Sequence, residues 1–236
     1  GTATATGNIF LALLNGATLC SFDVQKEGPA SLAVWLLREG ISFCRISSPL
    51  FRKLCEVLTG KELFPDLRLI QLASATIYQS DVALYRKHFS KNCILAAGLS
   101  SSEAGFHRDY LIDDKTEISG NEVPVGYAVD GKEVLLLDDT GKEIGFNQVG
   151  EIAVRGYVSP GYWRNPALTR AHFKLNPNLA EDPLYHSGDL GLMLSDGCLI
   201  HKGRKDFRVK IRGYGVDMTE VEKFLCGHVA IREAVV

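Results

Sequence analysis

A chain of 236 residues that is 46% hydrophobic and 23% charged has the make-up of an ordinary globular protein of about one to two domains, large enough for a sizeable core. Its 26 basic and 28 acidic side chains leave a net charge of −2, which builds no field of one sign and argues against nucleic acid or an anionic membrane surface as partner. The longest apolar stretches, such as residues 9–14 and 134–137, fall well short of the ~20 residues a membrane-spanning helix needs, so no transmembrane segment is expected.

In chain order, residues 9–14 read as helix, Asn15-Gly16 as a turn and the apolar run 17–22 as a strand. Residues 29–39 form the next helical pattern, stopped by Gly40, and 41–46 the next strand. A helix over 49–58 closed by Gly60, a strand over 67–73, a helix over 81–89 and a strand over 93–97 continue the alternation. Helices alternating with short buried strands predict a mainly parallel sheet, whose ligands bind beyond the carboxyl ends of its strands. After about residue 109 the texture becomes that of strands and tight turns: 134–137, the turn Asp138-Asp139-Thr140-Gly141, then 150–154. From Val209 onward a short strand (209–211), Gly213, a capped helix over 219–225 and a strand over 234–236 suggest a small α+β unit that begins and is cut off. The expected class is therefore α/β, divided into an α/β part (1–108), a β-rich part (109–206) and the start of a third unit (207–236).

Cys20, Cys44, Cys55, Cys93, Cys198 and Cys226 show no C-x-x-C pair and mostly sit among apolar residues, the pattern of reduced buried thiols in a cytoplasmic protein. The amino terminus has no basic region followed by an apolar run, so it does not read as a signal peptide. An opening at Gly1 rather than Met and an apolar end at Ala234-Val235-Val236 read as a piece of a longer polypeptide.

Four segments carry chemistry. Gly98-Leu99-Ser100-Ser101-Ser102-Glu103-Ala104-Gly105 follows a buried strand, where small hydroxyl residues admit a phosphate and a carboxylate can hold its Mg²⁺; alone it reads more simply as a polar loop with a cap. Val149-Gly150-Glu151-Ile152-Ala153-Val154-Arg155-Gly156, followed by Ser159-Pro160-Gly161-Tyr162-Trp163, reads as a strand feeding a turn under an aromatic pair, a structural role. In Tyr185-His186-Ser187-Gly188-Asp189-Leu190-Gly191 a carboxylate in a glycine-flanked turn can accept both hydroxyls of a ribose, and in Gly203-Arg204-Lys205-Asp206-Phe207-Arg208-Val209-Lys210-Ile211-Arg212-Gly213 an arginine can brace the sugar or a phosphate. Each is weak singly, since such turns are common and basic runs are usually solvated.

In this order and spacing the four resemble the core motifs of adenylate-forming enzymes, the superfamily of acyl-CoA synthetases, luciferases and adenylation domains of nonribosomal peptide synthetases. That family reads approximately Y-G-x-T-E, G-E-(I/L)-x-(I/V)-x-G with G-Y, Y-x-T-G-D-L and G-R-x-D-x-x-V-K-I-R-G. The resemblance covers nearly the whole chain and is most specific over residues 150–222. It implies ATP and Mg²⁺ as cofactors, with Ser102 on the ATP phosphates, Glu103 at the metal, Asp189 on the ribose hydroxyls and Arg204 assisting it. It further implies Asp206 as the hinge of the small carboxyl-terminal unit, and Ala73 and Ser74 in the segment lining adenine.

Departures from the family pattern include Leu99 for the aromatic that stacks on adenine, Ser100 for glycine, His186 for a basic or polar residue, Ser187 for threonine, and Gly215 for an arginine. Two family motifs, a phosphate loop with its lysine and the catalytic lysine, would fall before Gly1 and after Val236, so the chain by itself is expected to be inactive. In amino-acid-activating relatives a segment F-D-x-S-x-x-x-I-F sets an aspartate against the substrate amine; matching Ile9-Phe10 and Asn15-Gly16-Ala17 puts Ala3 there, with Thr4 and Gly7 in the same substrate pocket. An ammonium group without that carboxylate loses a charge-assisted hydrogen bond, so an acid lacking the α-amino group is expected.

The implied function is a carboxylate-activating adenylation domain within a multidomain chain, acting on a small carboxylic acid and delivering it to a phosphopantetheine thiol of an acyl or peptidyl carrier protein. A free-standing acyl-CoA synthetase and a non-catalytic nucleotide-binding or docking remnant are the alternatives.

Overall fold

The computed structural model describes residues 3–73, 76–176, 179–205, 208–211, 214–218, 221, 224–225 and 228. It opens with helix α1 (Ala3–Leu14). The next helix, α2 (Val24–Arg38), starts under an Asp23 cap on the Lys26 N–H and is kinked where Gly28 takes φ 79° ahead of Pro29, so the helical pattern read from position 29 is its second, regular segment. Strand β1 (Phe43–Ser47), helix α3 (Ser48–Val57), strand β2 (Leu69–Ala73), helix α4 (Gln79–His88) and strand β3 (Ile94–Ser101) follow. The expected strand over 17–22 is absent: no neighbouring strand pairs with that run, and it is pinned as an extended connection by Phe22 packing on Trp35 with ring centroids 5.2 Å apart.

Strands β1, β2 and β3 are parallel neighbours. Their alternate residues Ile46, Ile70, Leu72, Leu95 and Ala97 point into one core with Leu32 and Leu36 of α2, Phe51 and Leu54 of α3, and Val82 and Tyr85 of α4. Each large apolar side chain removed from water here contributes roughly 1.5–3 kcal/mol. The sheet is mixed rather than wholly parallel: β4 (Gly105–Ile112) runs antiparallel to β3, and the short β5 (Tyr127–Ala128) antiparallel to β4. Segment 98–105 is thus a hairpin rather than a loop, because β3 continues to Ser101 and only 102–104 turn.

The second sheet is antiparallel, built from β6 (Glu133–Leu137), β7 (Val149–Arg155), β8 (Phe173–Asn176), β9 (Leu179–Met193) and β10 (Leu199–Arg204) in the order β10-β9-β7-β6, with β8 also on β9. Asp138 holds the turn after β6 by accepting from the Thr140 and Lys142 amides at 2.8 and 3.0 Å. Helix α5 (Pro166–His172), capped by Asn165, precedes β8. Leu99, Ala104, Val134, Leu136, Ile152, Val154, Phe173, Tyr185 and Leu199 form the second core. A separate hairpin, β11 (Arg208–Ile211) with β12 (Tyr214–Asp217), comes last; the helix expected over 219–225 falls largely, and the strand over 234–236 wholly, outside the described residues.

Arg108 on β4 joins the sheets. Only 3% exposed, its Nη1 donates to the carbonyls of Gly126 at 3.1 Å and Gly197 at 3.0 Å. Among the described residues no helix is long and apolar enough to cross a membrane. The described cysteines are free, and burial pushes the Cys44 and Cys55 thiols up to about 12.

Candidate active site

Asp189 and Arg204 face each other as register partners on β9 and β10. Arg204 Nη1 donates to Asp189 Oδ1 at 2.8 Å and Nη2 to the Ser187 carbonyl at 3.2 Å; His201 Nε2 lies 3.5 Å from the same carboxylate oxygen. Asp189 sits inside a 15-residue strand, not in the turn expected from its flanking glycines. The glycine acts differently: Gly188 has φ 73°, and the β7 pairing shifts register across it, from Glu151–Leu190 to Ala153–His186. This bulge re-aims the strand. The Ser187 hydroxyl fixes it by donating to the Ile152 carbonyl at 2.6 Å and accepting the Asp189 amide at 3.0 Å. Glu151 accepts the Gly188 amide at 3.2 Å, and hydrogen bonding to His186 holds its carboxyl below the usual range.

Glu103 stands at the tip of the β3–β4 hairpin, at the carboxyl end of β3. The Tyr162 hydroxyl donates to its Oε1 at 2.7 Å, and its carbonyl accepts the Ser159 amide at 2.7 Å. The Ser101 hydroxyl closes the turn by accepting the Ala104 amide at 3.0 Å. Tyr162 is itself wedged against Phe173 and His172, with centroid distances of 5.6 and 6.0 Å.

Two buried groups lie near these carboxylates, Tyr185 in the fields of both and His107 in that of Asp189. Burial, followed by the charges of Glu103, Tyr162 and Asp189, pushes the Tyr185 phenol above its ordinary value, so this hydroxyl lies within the fields of both Glu103 and Asp189. His107, 1% exposed, is pushed down to about 4 by burial, against an opposing pull from Asp189. Its Nδ1 donates to the Gly105 carbonyl at 3.0 Å, leaving Nε2 a buried acceptor with no partner among the described residues.

The other expected site residues are placed as follows. Ser102 is exposed beside Glu103, and Ala73 ends β2 opposite Ser47. Leu99 is 9% exposed and packs in the second core. Ala3, Thr4 and Gly7 lie in the first turns of α1, and a Cβ added to Gly7 would lie 3.9 Å from Arg45 Nη1. Ser74 and Asp206 lie outside the described residues. Glu103 fits a Mg²⁺ that arrives with phosphates, since such an ion takes one or two protein carboxylates and keeps its remaining sites for phosphate and water.

The sequence profile of the family described as AMP-binding enzyme matches residues 2–163. The chain belongs to that family. Members of the AMP-binding enzyme family are adenylate-forming ligases, and the chain is similar to gramicidin S synthase 2 of Brevibacillus brevis, at 30% identity over 98% of this chain and 5% of the synthase. It is also similar to bacitracin synthase 3 of Bacillus licheniformis, at 29% identity over 97% of this chain and 4% of the synthase. Among solved structures it resembles PA1221, an NRPS protein containing adenylation and PCP domains, with a TM-score of 0.81 and 27% identity over 95% of this chain and 46% of that one. The chain thus spans about a twentieth of the curated synthases and under half of the PA1221 chain.

Within this AMP-binding fold, sequence reasoning had assigned Tyr162 a packing role, and had not singled out Tyr185, His107 or His201. For Tyr162 the signal was present, an aromatic two residues after Pro160, but only the folded chain brings it to Glu103, 59 positions away.

Proposed function

We propose that the protein containing this chain activates a small carboxylic acid with ATP and transfers the acyl group to the phosphopantetheine thiol of a carrier protein in the cytoplasm. The observation that carries this reading is the pairing of Arg204 with Asp189 in the field shared with the Tyr-held Glu103. A carboxylate oriented by a guanidinium is a ribose acceptor, because its oxygens face two vicinal hydroxyl donors at once. The exposed Ser102 would offer a hydroxyl to the triphosphate, and the neighbouring Glu103 a carboxylate to the cation that accompanies it. Mg²⁺, held by Glu103, would neutralise charge on the phosphates.

In the first step a substrate carboxylate oxygen bonds to the α-phosphorus while the bond to the pyrophosphate oxygen breaks. In the second, the thiol sulfur bonds to the acyl carbon and AMP leaves with the electron pair. The chain's own contribution is positioning and charge compensation. Support for a carrier-protein acceptor comes from the adenylation and PCP domains named for PA1221. Support for a substrate without an α-amino group comes from Ala3, where amino-acid-activating relatives carry aspartate.

ATP–pyrophosphate exchange by the full-length protein, with amino acids and their deaminated counterparts as substrates, tests this reading. Asp189→Ala is expected to weaken ATP binding by about 1.5–3 kcal/mol, the worth of a charge-assisted hydrogen bond. Unchanged ATP affinity would sink the assignment of the ribose site. A preference for an L-amino acid over its deaminated analogue would overturn the substrate reading alone.

A further inference from the structure

The residues facing away from α2, α3 and α4 leave a charge that the nucleotide chemistry does not use. Arg45 on β1 pairs in register with Gln71 on β2, and Gln71 with Ala96 on β3. Their sequence neighbours Ile46, Ile70, Leu72, Leu95 and Ala97 enter the helix-covered core. By the alternation of strand side chains, Arg45, Gln71, Ala96 and Gly98 share the opposite face. Phe106 lies over Gly98, where an added Cβ would meet its ring at 2.6 Å. Helix α1 reaches this face at the other end, since Arg45 Nη1 donates to Asn8 Oδ1 at 2.6 Å and lies 3.9 Å from the position of a Cβ at Gly7.

Both side chains that hold the guanidinium are neutral amides: Nη1 bonds Asn8, and Nε donates to Gln71 Oε1 at 2.6 Å. Amides orient a cation without compensating its charge. Among the described residues no carboxylate lies at ion-pair distance from Arg45, and burial alone holds its pKa below the ordinary value, with no anion acting against that shift. Asp81, in contrast, meets Arg52 with two hydrogen bonds of 2.7 Å. A half-buried guanidinium held in place, with donors left over and glycine beside it, is built for a planar anion.

We propose that Arg45 determines specificity for an acid carrying a second carboxylate, which docks on the guanidinium while the first is activated. This rests on the acid-activating reading above. The ligand class is a short dicarboxylic acid or its derivative, rather than the purely aliphatic or aryl acid that a neutral pocket would take.

Pyrophosphate exchange by the full-length protein decides the matter, with each short dicarboxylic acid run against its monoamide and against the monocarboxylic acid of equal length. The diacid is expected to exceed both in kcat/KM by about tenfold or more, because a site with an unpaired charge rejects the analogue that lacks its partner. Arg45→Gln is expected to abolish that preference while leaving ATP affinity and the exchange rate with the monoamide in place, and Arg45→Lys to retain part of it. Parity between diacid and monoamide in the wild type, or an undiminished preference in Arg45→Gln, overturns the proposal. Should Arg45→Gln fail to fold, the wild-type ranking decides alone. Aspartate preferred over both asparagine and succinate would uphold the role of Arg45 and overturn only the deaminated-substrate reading. Failure both to bind ATP and to exchange with any acid would overturn the activating reading and this proposal with it, whereas ATP binding with exchange at parity overturns this proposal alone.

Discussion

His107 illustrates how a single side chain records its surroundings. Burial disfavours its cation, Arg108 and Lys132 add repulsion, and Asp189 and the Gly105 carbonyl pull weakly the other way, leaving it at about 4 against an ordinary 6.5. The unfolded chain therefore takes up a proton before the folded one does. Stability contributed by neutral His107 is fully present above about pH 6.5 and is lost as the pH falls toward about 4. At about pH 5 the expected loss is on the order of 2 kcal/mol, read as a fall in melting temperature between neutral and mildly acid buffer that is smaller in His107→Gln. Equal acid sensitivity in the two proteins would count against this titration. Arg45 makes a related point, because its type was plain in the sequence but the absence of any carboxylate at ion-pair distance among the described residues was not.

At the scale of elements, α3 and α4 are joined by an ion pair that sequence periodicity does not reveal. Asp81, fully buried, receives Arg52 Nε and Nη2 at 2.7 Å each and also accepts the Tyr78 amide at 2.9 Å, capping its own helix. Arg52 Nη2 extends to the Thr76 carbonyl at 3.2 Å, just after β2. Asp81→Asn leaves the arginine facing a neutral amide in a buried setting and is expected to cost about 3 kcal/mol. Urea unfolding measures it as a shift of the midpoint; a shift worth under about 0.5 kcal/mol would mean that the pair behaves like an exposed one. The helices themselves were legible from apolar spacing and glycine stops. Strand 17–22 was misread because a short apolar run carries no information about whether another strand lies beside it.

For the whole molecule, Arg108 ties the first sheet to the second across 89 positions of sequence. Replacing it with leucine strands the Gly197 carbonyl, at about 1–3 kcal/mol if it stays dry, whereas the Gly126 carbonyl keeps the Leu199 amide at 2.8 Å. Arg108→Leu is expected to lower amide-exchange protection around Gly126 and in β9 and β10 while β1 and β2 keep theirs. Uniform loss across both sheets, or none, would show that Arg108 is not the tie. Because Asp189 and Arg204 ride on the second sheet and Glu103 on the first, loosening this junction is also expected to weaken ATP binding in parallel.

Local chemistry by itself determined the alternation of α2, α3 and α4 with β1, β2 and β3, the turn held by Asp138 and the four motifs in their spacing, since each depends on residues within a few positions of one another. Asp189 and Arg204 were recognisable for the same reason, but their meeting as cross-strand partners depends on the register shift of β10 between His201 and Arg204. Tertiary structure alone decided that β3 turns back as a hairpin, that Tyr162 and Tyr185 reach Glu103, and that Leu99 is drawn into the second core. Apart from the hairpin, these are contacts between segments tens of residues apart, set by which faces must be buried together, and no periodicity within one segment encodes its partner.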